Sequence, residues 1–166
     1  MKYDISALGN ALVDTQYKVG YEFLESIGLE ADSMTLASAE EQAPIIKKLI
    51  DMGSESVSDC GGSATNSLIA ASNYGSKCHH VCRVSDDADG KKYLESLRSA
   101  GVDHIGVSSK ESDMPTGKCL ILVTPDSERT MCTFLGTAGK ISDNDIKVEI
   151  IKKSEMIFLE GYLWDE

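Results

Sequence analysis

The sequence predicts an α/β fold with a central, mostly parallel sheet that is flanked by helices. Strand-like and helix-like segments alternate through most of the 166 residues, which is the pattern of this fold class. The first and last apolar runs, 3–9 and 155–164, have the length and composition of buried strands. The chain length suits a single domain with one hydrophobic core.

The individual elements follow from local patterns. Strands are predicted where short apolar or β-branched runs end at turn residues: 3–9, 12–19, 32–38, 76–85, 102–107 and 155–164. Residues 116–136 are predicted to form a hairpin, because two β runs flank the turn TPDSER. Helices are predicted where apolar residues recur at helical spacing: 21–29, 38–53, 87–101 and 142–154. Ser38 and Glu41 form a capping-box pattern, and the last of these helices has an acidic first turn and a lysine-rich last turn.

Three of these segments do not fit a simple alternation of strand and helix. The strands within about 12–19, 32–38 and 116–136 are expected to form a separate, small antiparallel sheet. The remaining elements are expected to form the main body. The two groups belong to one domain that spans residues 1–166.

Composition excludes several classes of protein. The formal net charge of −11 repels phosphate backbones, so no nucleic-acid partner is expected. No apolar run reaches the roughly 18 residues of a membrane span, and the N-terminus reads as a strand and not as a signal peptide. The five cysteines are scattered and odd in number, which favours reduced thiols and a cytoplasmic location.

The stretch DCGGSATNSLIAASNYG, residues 59–75, is the most informative one. Gly61 and Gly62 follow a strand and allow a ligand to approach the backbone, since they have no Cβ. The helix behind them offers free N–H groups, and the amide of Asn66 lies on its first turn, where it can read hydroxyl groups. The alternative is a tight strand–helix turn with a capping asparagine. The packed face of this helix is predicted to comprise Ala64, Leu68, Ala71 and Tyr74.

Two further polar positions are candidates for the same site. Asn10 and Asp14, in GNALVD, follow the first strand, where an aspartate can accept hydrogen bonds from two adjacent sugar hydroxyls. Arg129 lies in or near the hairpin turn and can reach a phosphate. Taken alone, turn polarity explains Asn10 and Asp14 better than a ligand does, and solvent exposure explains Arg129 better.

Other motifs fail on inspection. FLGTAGK lacks the first glycine and the hydroxyl residue of a P-loop, and no G-x-G-x-x-G is present. CHHVC has no second ligand pair for zinc. SDDADG would begin a calcium loop whose first and last positions, Ser85 and Ser96, lack the required carboxylates. Cys60 has no identifiable base nearby. No metal site is therefore predicted.

Five segments together resemble the N-terminal half of the ribokinase-like, or PfkB, carbohydrate kinases, with the nearest likeness to the adenosine-kinase-like branch. They are GNALVD, GGSATNS, RVSDDADG, PTGKCLILVTPDSERTMCTFLGTA and IFLEGYLWD, in the order of that family. The resemblance implies a Rossmann-like ribokinase fold in which the three additional strand segments form a lid over the sugar. Each motif is weak alone, but five in order are specific.

The resemblance also implies roles for particular residues. It implies that the sugar or nucleoside is bound by six residues: Asn10, Asp14, Gly61, Gly62, Ser63 and Asn66. Arg129 is similar to an arginine that approaches the active site from the lid, and Glu160 is similar to a glutamate that lines it. The family uses ATP and Mg²⁺ and transfers the γ-phosphate to a primary hydroxyl.

The catalytic motif of the family, D-T-x-G-A-G-D, does not occur in these residues, nor does its N-x-x-E motif. The C-terminal half of the kinase is therefore expected to be missing, with no catalytic base in this chain, no bound cofactor and little or no turnover. The main hypothesis is the substrate-binding half of a nucleoside or sugar kinase, with adenosine favoured. The alternatives are a non-catalytic half-kinase that binds ligand or self-assembles through the lid or an open sheet edge, and a different nucleotide-binding α/β module.

Overall fold

The computed structural model describes residues 2–108 and 114–164. Asp165, the last residue of the motif IFLEGYLWD, lies outside the described residues. The described chain contains two sheets, one of four strands and one of five.

The first sheet, here called the body sheet, is entirely parallel, as the sequence predicts. Its strands are β1 (Tyr3–Leu8), β5 (Cys78–Val84), β6 (Val102–Ser108) and β9 (Ser154–Leu159). Their order in the sheet is β6-β5-β1-β9. Strand β9 forms one edge, and five of its six residues are exposed. An apolar edge strand that is open on both faces is unusual in a parallel sheet.

Two helices pack on one face of the body sheet: α3 (Ser63–Asn73) and α4 (Ala88–Ser99). Their fully buried side chains include Leu68, Tyr93 and Leu97. Burial of each such side chain contributes roughly 1.5–3 kcal/mol, which anchors the start of α3 against the strand ends. The prediction that Tyr74 packs inward is wrong: Tyr74 ends α3 as its C-cap and is 93% exposed.

The second sheet is mixed and not antiparallel as expected. Its strands are β2 (Leu12–Lys18), β3 (Met34–Leu36), β4 (Ser56–Gly61), β7 (Gly117–Val123) and β8 (Arg129–Phe134). Their order in the sheet is β3-β8-β7-β2-β4, with parallel pairs β2–β7 and β3–β8. Only the β7–β8 hairpin and the β2–β4 pair are antiparallel. Strand β4, which leads into Gly62, is thus an edge of this sheet.

Helices α1 (Tyr21–Ile27) and α2 (Ala39–Asp51) cover one face of the second sheet. Their buried residues Phe23, Leu24 and Leu49 form a separate core with apolar residues of β2, β7 and β8. The predicted capping box at Ser38 and Glu41 is present at the start of α2. The opposite face of the sheet carries Asp14.

The helix predicted at 142–154 is largely absent. The chain instead forms a 3₁₀ turn at Asp143–Asp145 and a four-residue helix, α5 (Val148–Ile151). The carboxylate of Asp145 accepts from the backbone N and Oγ of Ser142 and pairs with Arg83. These local hydrogen bonds compete with a continuous helix.

Candidate functional site

The candidate site forms where the carboxyl ends of β1, β4 and β9 meet the N-terminus of α3. Gly62 is the N-cap of α3 and has φ of 100°, a conformation that L-residues with a side chain rarely adopt. A Cβ at Gly62 would also overlap the backbone oxygen of Asn10. The paired glycines are thus required by the close approach of two chain segments, whatever they bind.

Asp14 lies on β2 and points at this turn. A Cβ at Gly61 would overlap the Asp14 carboxylate, so the carboxylate lies directly over the Gly61 backbone. Burial raises the pKa of Asp14 to about 6, while the charge of Arg129 lowers it and that of Asp59 raises it. A half-buried carboxylate beside a bare backbone can accept hydrogen bonds from neighbouring hydroxyl groups.

Arg129 begins β8 and is exposed. The strand registers place Asp14 opposite Cys119 and Arg129 opposite Val123, four residues further along β7. Residues separated by an even number along a strand share a face, so Arg129 and Asp14 lie on the same face of the second sheet. The influence of Arg129 on the pKa of Asp14 agrees with this placement.

Glu160 follows β9 and is only 3% exposed. Its Oε2 accepts a hydrogen bond from the backbone N of Asn10 at 2.5 Å. Its Oε1 accepts from the backbone N of Ser63 at 3.1 Å and from Ser63 Oγ at 2.5 Å. Glu160 therefore joins the end of β1 to the start of α3, and its oxygens are used by protein donors.

The remaining predicted residues differ in their surroundings. Asn10 is buried, and among the described residues its Oδ1 has no hydrogen-bond partner. Such buried polar atoms are uncommon in folded proteins and call for a ligand or water. Asn66 is exposed on the first turn of α3, and its backbone N donates to Gly62 O. Ser63 Oγ donates its hydrogen bond to Glu160 Oε1.

Sequence reasoning missed two features of the site. Asp59 lies directly opposite Asp14 on β4, and Gly9 is pressed against Ala64 and Glu160. The adjacency of Asp59 and Asp14 arises from strand register, which no local sequence pattern specifies. The sequence marked Gly9 as the end of the first predicted strand, but it did not indicate that Gly9 contacts Glu160.

The site as described can bind a small polar ligand, but it contains no metal centre. Among residues 2–108 and 114–164, no group of three or more His, Cys, Asp or Glu could hold a metal ion. The two histidines of CHHVC face opposite sides of β5, and His80 contacts Thr65 Oγ1 at 3.1 Å. The described residues therefore supply no cluster of three such ligands for the Mg²⁺ that the family resemblance implies. No helix in the described part of the chain is long and apolar enough to cross a membrane.

The chain is an α/β protein with a cluster of polar residues at its strand ends and a second sheet beside the parallel one. The chain belongs to the pfkB family of carbohydrate kinases, whose model matches residues 24–166. The family assignment made from the five sequence motifs is therefore confirmed.

Individual relatives include both nucleoside and sugar kinases. The chain is 26% identical to adenosine kinase of Schizophyllum commune, over 96% of this chain and 47% of that protein. It is 30% identical to 2-dehydro-3-deoxygluconokinase of Thermoproteus tenax, over 60% of this chain and 32% of that protein.

Solved structures give the same result. Adenosine kinase from Sinorhizobium meliloti superposes with a TM-score of 0.84 and 30% identity, over 99% of this chain and 49% of that chain. A probable sugar kinase from Rhizobium etli has a TM-score of 0.85 and 28% identity, with the same coverage of both chains. The chain thus has the fold of these kinases and spans about half of their length.

Proposed function

We propose that this chain forms the acceptor-binding half of an ATP-dependent kinase that phosphorylates a primary hydroxyl of a nucleoside or sugar. The observation that carries the proposal is the Asp14 carboxylate over the bare backbone of Gly61, beside the N-terminus of α3. This arrangement suits vicinal hydroxyl groups, which donate to the carboxylate while the ring lies against the glycines. The half-length match to adenosine kinases supports it.

Each residue has a role in this proposal. Asp14 and Asn10 accept hydrogen bonds from the ring hydroxyls, and Asn66 both donates and accepts from the first turn of α3. Glu160 holds the two segments that carry them through its bonds to Asn10 N and Ser63 N. ATP would supply the phosphoryl group and Mg²⁺ would neutralise its charge.

The second sheet acts as a lid in this proposal. It carries Asp14 on β2 and Arg129 on β8, on the face that α1 and α2 leave uncovered. Closure of this sheet over the acceptor would exclude water, which otherwise competes for the phosphoryl group. Arg129 would then approach the transferred phosphate.

Adenosine is the favoured acceptor. Among the sequence relatives, adenosine kinase of Schizophyllum commune matches over 96% of this chain, whereas 2-dehydro-3-deoxygluconokinase matches over 60% of it. Ribose-like sugars are the other candidates, since the same residues can form hydrogen bonds with any pair of adjacent hydroxyl groups. The cytoplasmic location stays a prediction, supported by the five free cysteines.

Calorimetric titration tests the proposal. We expect adenosine to bind this chain more tightly than ribose or fructose does. Asp14→Ala should lower the affinity for adenosine at least about tenfold, because a charged hydrogen-bond acceptor is lost. Asp51→Ala removes an exposed carboxylate at the end of α2 and is the matched control. If Asp14→Ala and Asp51→Ala bind adenosine as the parent does, Asp14 is not a ligand residue.

Phosphoryl transfer is not expected from these residues alone. The D-T-x-G-A-G-D motif, whose last aspartate is the general base in the family, does not occur in them. A coupled assay for ADP should therefore give the same rate with and without adenosine. Adenosine-dependent release of ADP would contradict this expectation.

Self-assembly is a second candidate function, favoured by the exposed edge strand β9. Met156 and Ile157 project from opposite faces of this strand and are 60% and 48% exposed. Sedimentation velocity should detect association that weakens in Met156→Lys, because a charge would block edge pairing. Val57→Lys, on the exposed lid edge β4, separates association through β9 from association through the lid. A chain that stays monomeric at all concentrations would exclude this function.

A further inference from the structure

Two carboxylates lie side by side on adjacent strands of the second sheet, at the candidate site. Asp59 on β4 is the direct register partner of Asp14 on β2. Directly opposed residues on antiparallel strands share a face, with Cβ atoms roughly 5 Å apart. Like charges in this arrangement repel, so the pair costs stability unless it serves a ligand.

The surroundings of Asp59 leave its charge uncompensated. It is exposed, on an edge strand, and two residues before the Gly61 backbone that Asp14 covers. Its Oδ1 accepts from the backbone N of Cys60 at 2.8 Å, which orients the carboxylate without neutralising it. Among the described residues, no lysine or arginine lies within ion-pair distance of Asp59 or Asp14.

The nearest cationic side chains, Lys92 and Arg129, do not neutralise the two carboxylates. Lys92 donates to the backbone oxygen of Ser58, whose side chain lies on the opposite face of β4 from that of Asp59. Arg129 lies on the same face as Asp14 but is exposed, and it is one positive charge beside two negative ones. The acceptor side of the site is therefore net negative.

We infer that Asp59 is a specificity-determining residue, which together with Asp14 makes the site select neutral polyols and reject sugar acids. This inference rests on the proposed function and narrows its substrate class. A neutral nucleoside can donate hydroxyl protons to both carboxylates, whereas an ionised carboxyl group near them is repelled. Among the acceptors in the names of the relatives, adenosine is neutral and 2-dehydro-3-deoxygluconate is a sugar acid.

The first test compares adenosine with D-gluconate in calorimetric titrations of the full chain. In the parent, gluconate should bind at least about tenfold more weakly than adenosine, and Asp59→Asn should narrow this ratio about fivefold. Asp51→Asn carries the same change of charge at a remote exposed position and should leave the ratio unchanged. Equal binding of the two ligands in the parent, or an unchanged ratio in Asp59→Asn, overturns the inference.

A second test needs no substrate and separates the inference from the proposed function. Cationic and anionic nitroxides are added to the labelled chain, and relaxation of the Gly61 and Gly62 amides is measured by NMR. In the parent, the cationic nitroxide should enhance the relaxation of these amides more than the anionic one does. The ratio of the two enhancements should fall about threefold in Asp59→Asn and stay unchanged in Asp51→Asn. If no ligand binds but this ratio falls as expected, the proposed function fails and anion exclusion stands. If the two enhancements are equal in the parent, the inference fails.

Discussion

Acidification from pH 7 to pH 4 is expected to lower the free energy of unfolding by about 3 kcal/mol for each of two buried histidines. His79 and His80 are at most 1% exposed, and burial lowers the pKa of each from 6.5 to about 4. The unfolded chain therefore binds more protons than the folded chain between these values. The stabilisation is complete above pH 6.5 and is lost as the pH falls towards 4.

The two histidines differ in their contacts, which allows their contributions to be separated. His80 is bonded to Thr65, whereas both ring nitrogens of His79 are without a partner among the described residues. The His79 ring packs 5.1 Å from the ring of Tyr3. His79→Phe keeps a ring there and removes two unsatisfied polar atoms, so it should add about 1–2 kcal/mol at pH 7.

Urea unfolding at a series of pH values provides the measurement. His79→Phe should reduce the loss of stability between pH 7 and pH 4 by about 3 kcal/mol relative to the parent, because one of the two buried histidines is removed. Asp14 acts in the opposite direction, because its pKa is raised to about 6 and its contribution is lost as the pH rises through that value. Asp14→Asn should therefore steepen the loss on acidification. A parent whose stability is constant over this range would contradict the assignment of buried, neutral histidines.

Several elements of the fold were predictable because their signals are local. The strand at 3–9 and the capping box at Ser38 and Glu41 depend on neighbouring residues, and both are present. The helix predicted at 142–154 failed because its first turn is held by Asp145, whose partner Arg83 is distant in sequence. A periodic pattern cannot register such a competing contact.

The second sheet shows a similar limit. Hairpin logic predicted β7 and β8 correctly as an antiparallel pair, but β2 and β7 pair in parallel although about a hundred residues separate them. Once that pairing is formed, β4 joins the other side of β2 and brings Asp59 opposite Asp14. The electrostatics of the candidate site thus depend on register, while the glycine pair and Asp14 were visible as motifs.

Glu160→Ala is expected to destabilise the chain by roughly 2–5 kcal/mol. The buried carboxylate accepts from two backbone N–H groups, of Asn10 and Ser63, and neither has another acceptor among the described residues. Each buried donor that loses its partner costs about 1–3 kcal/mol. Glu160→Gln should cost about half as much, because its carbonyl oxygen can retain one of the two donors.

Unfolding in urea measures the loss, and hydrogen exchange assigns it to the site. The amides of Asn10 and Ser63 should exchange faster in Glu160→Ala, because they lose their acceptor while the body sheet remains hydrogen-bonded. Glu155→Ala removes a glutamate from β9, the strand that precedes Glu160. Its ion pair with Lys2 is exposed, so the substitution should cost less than about 1 kcal/mol. Equal effects of the two substitutions would mean that Glu160 does not join β1 to α3. The geometry of Asp14 over Gly61 would then depend on the glycine turn alone.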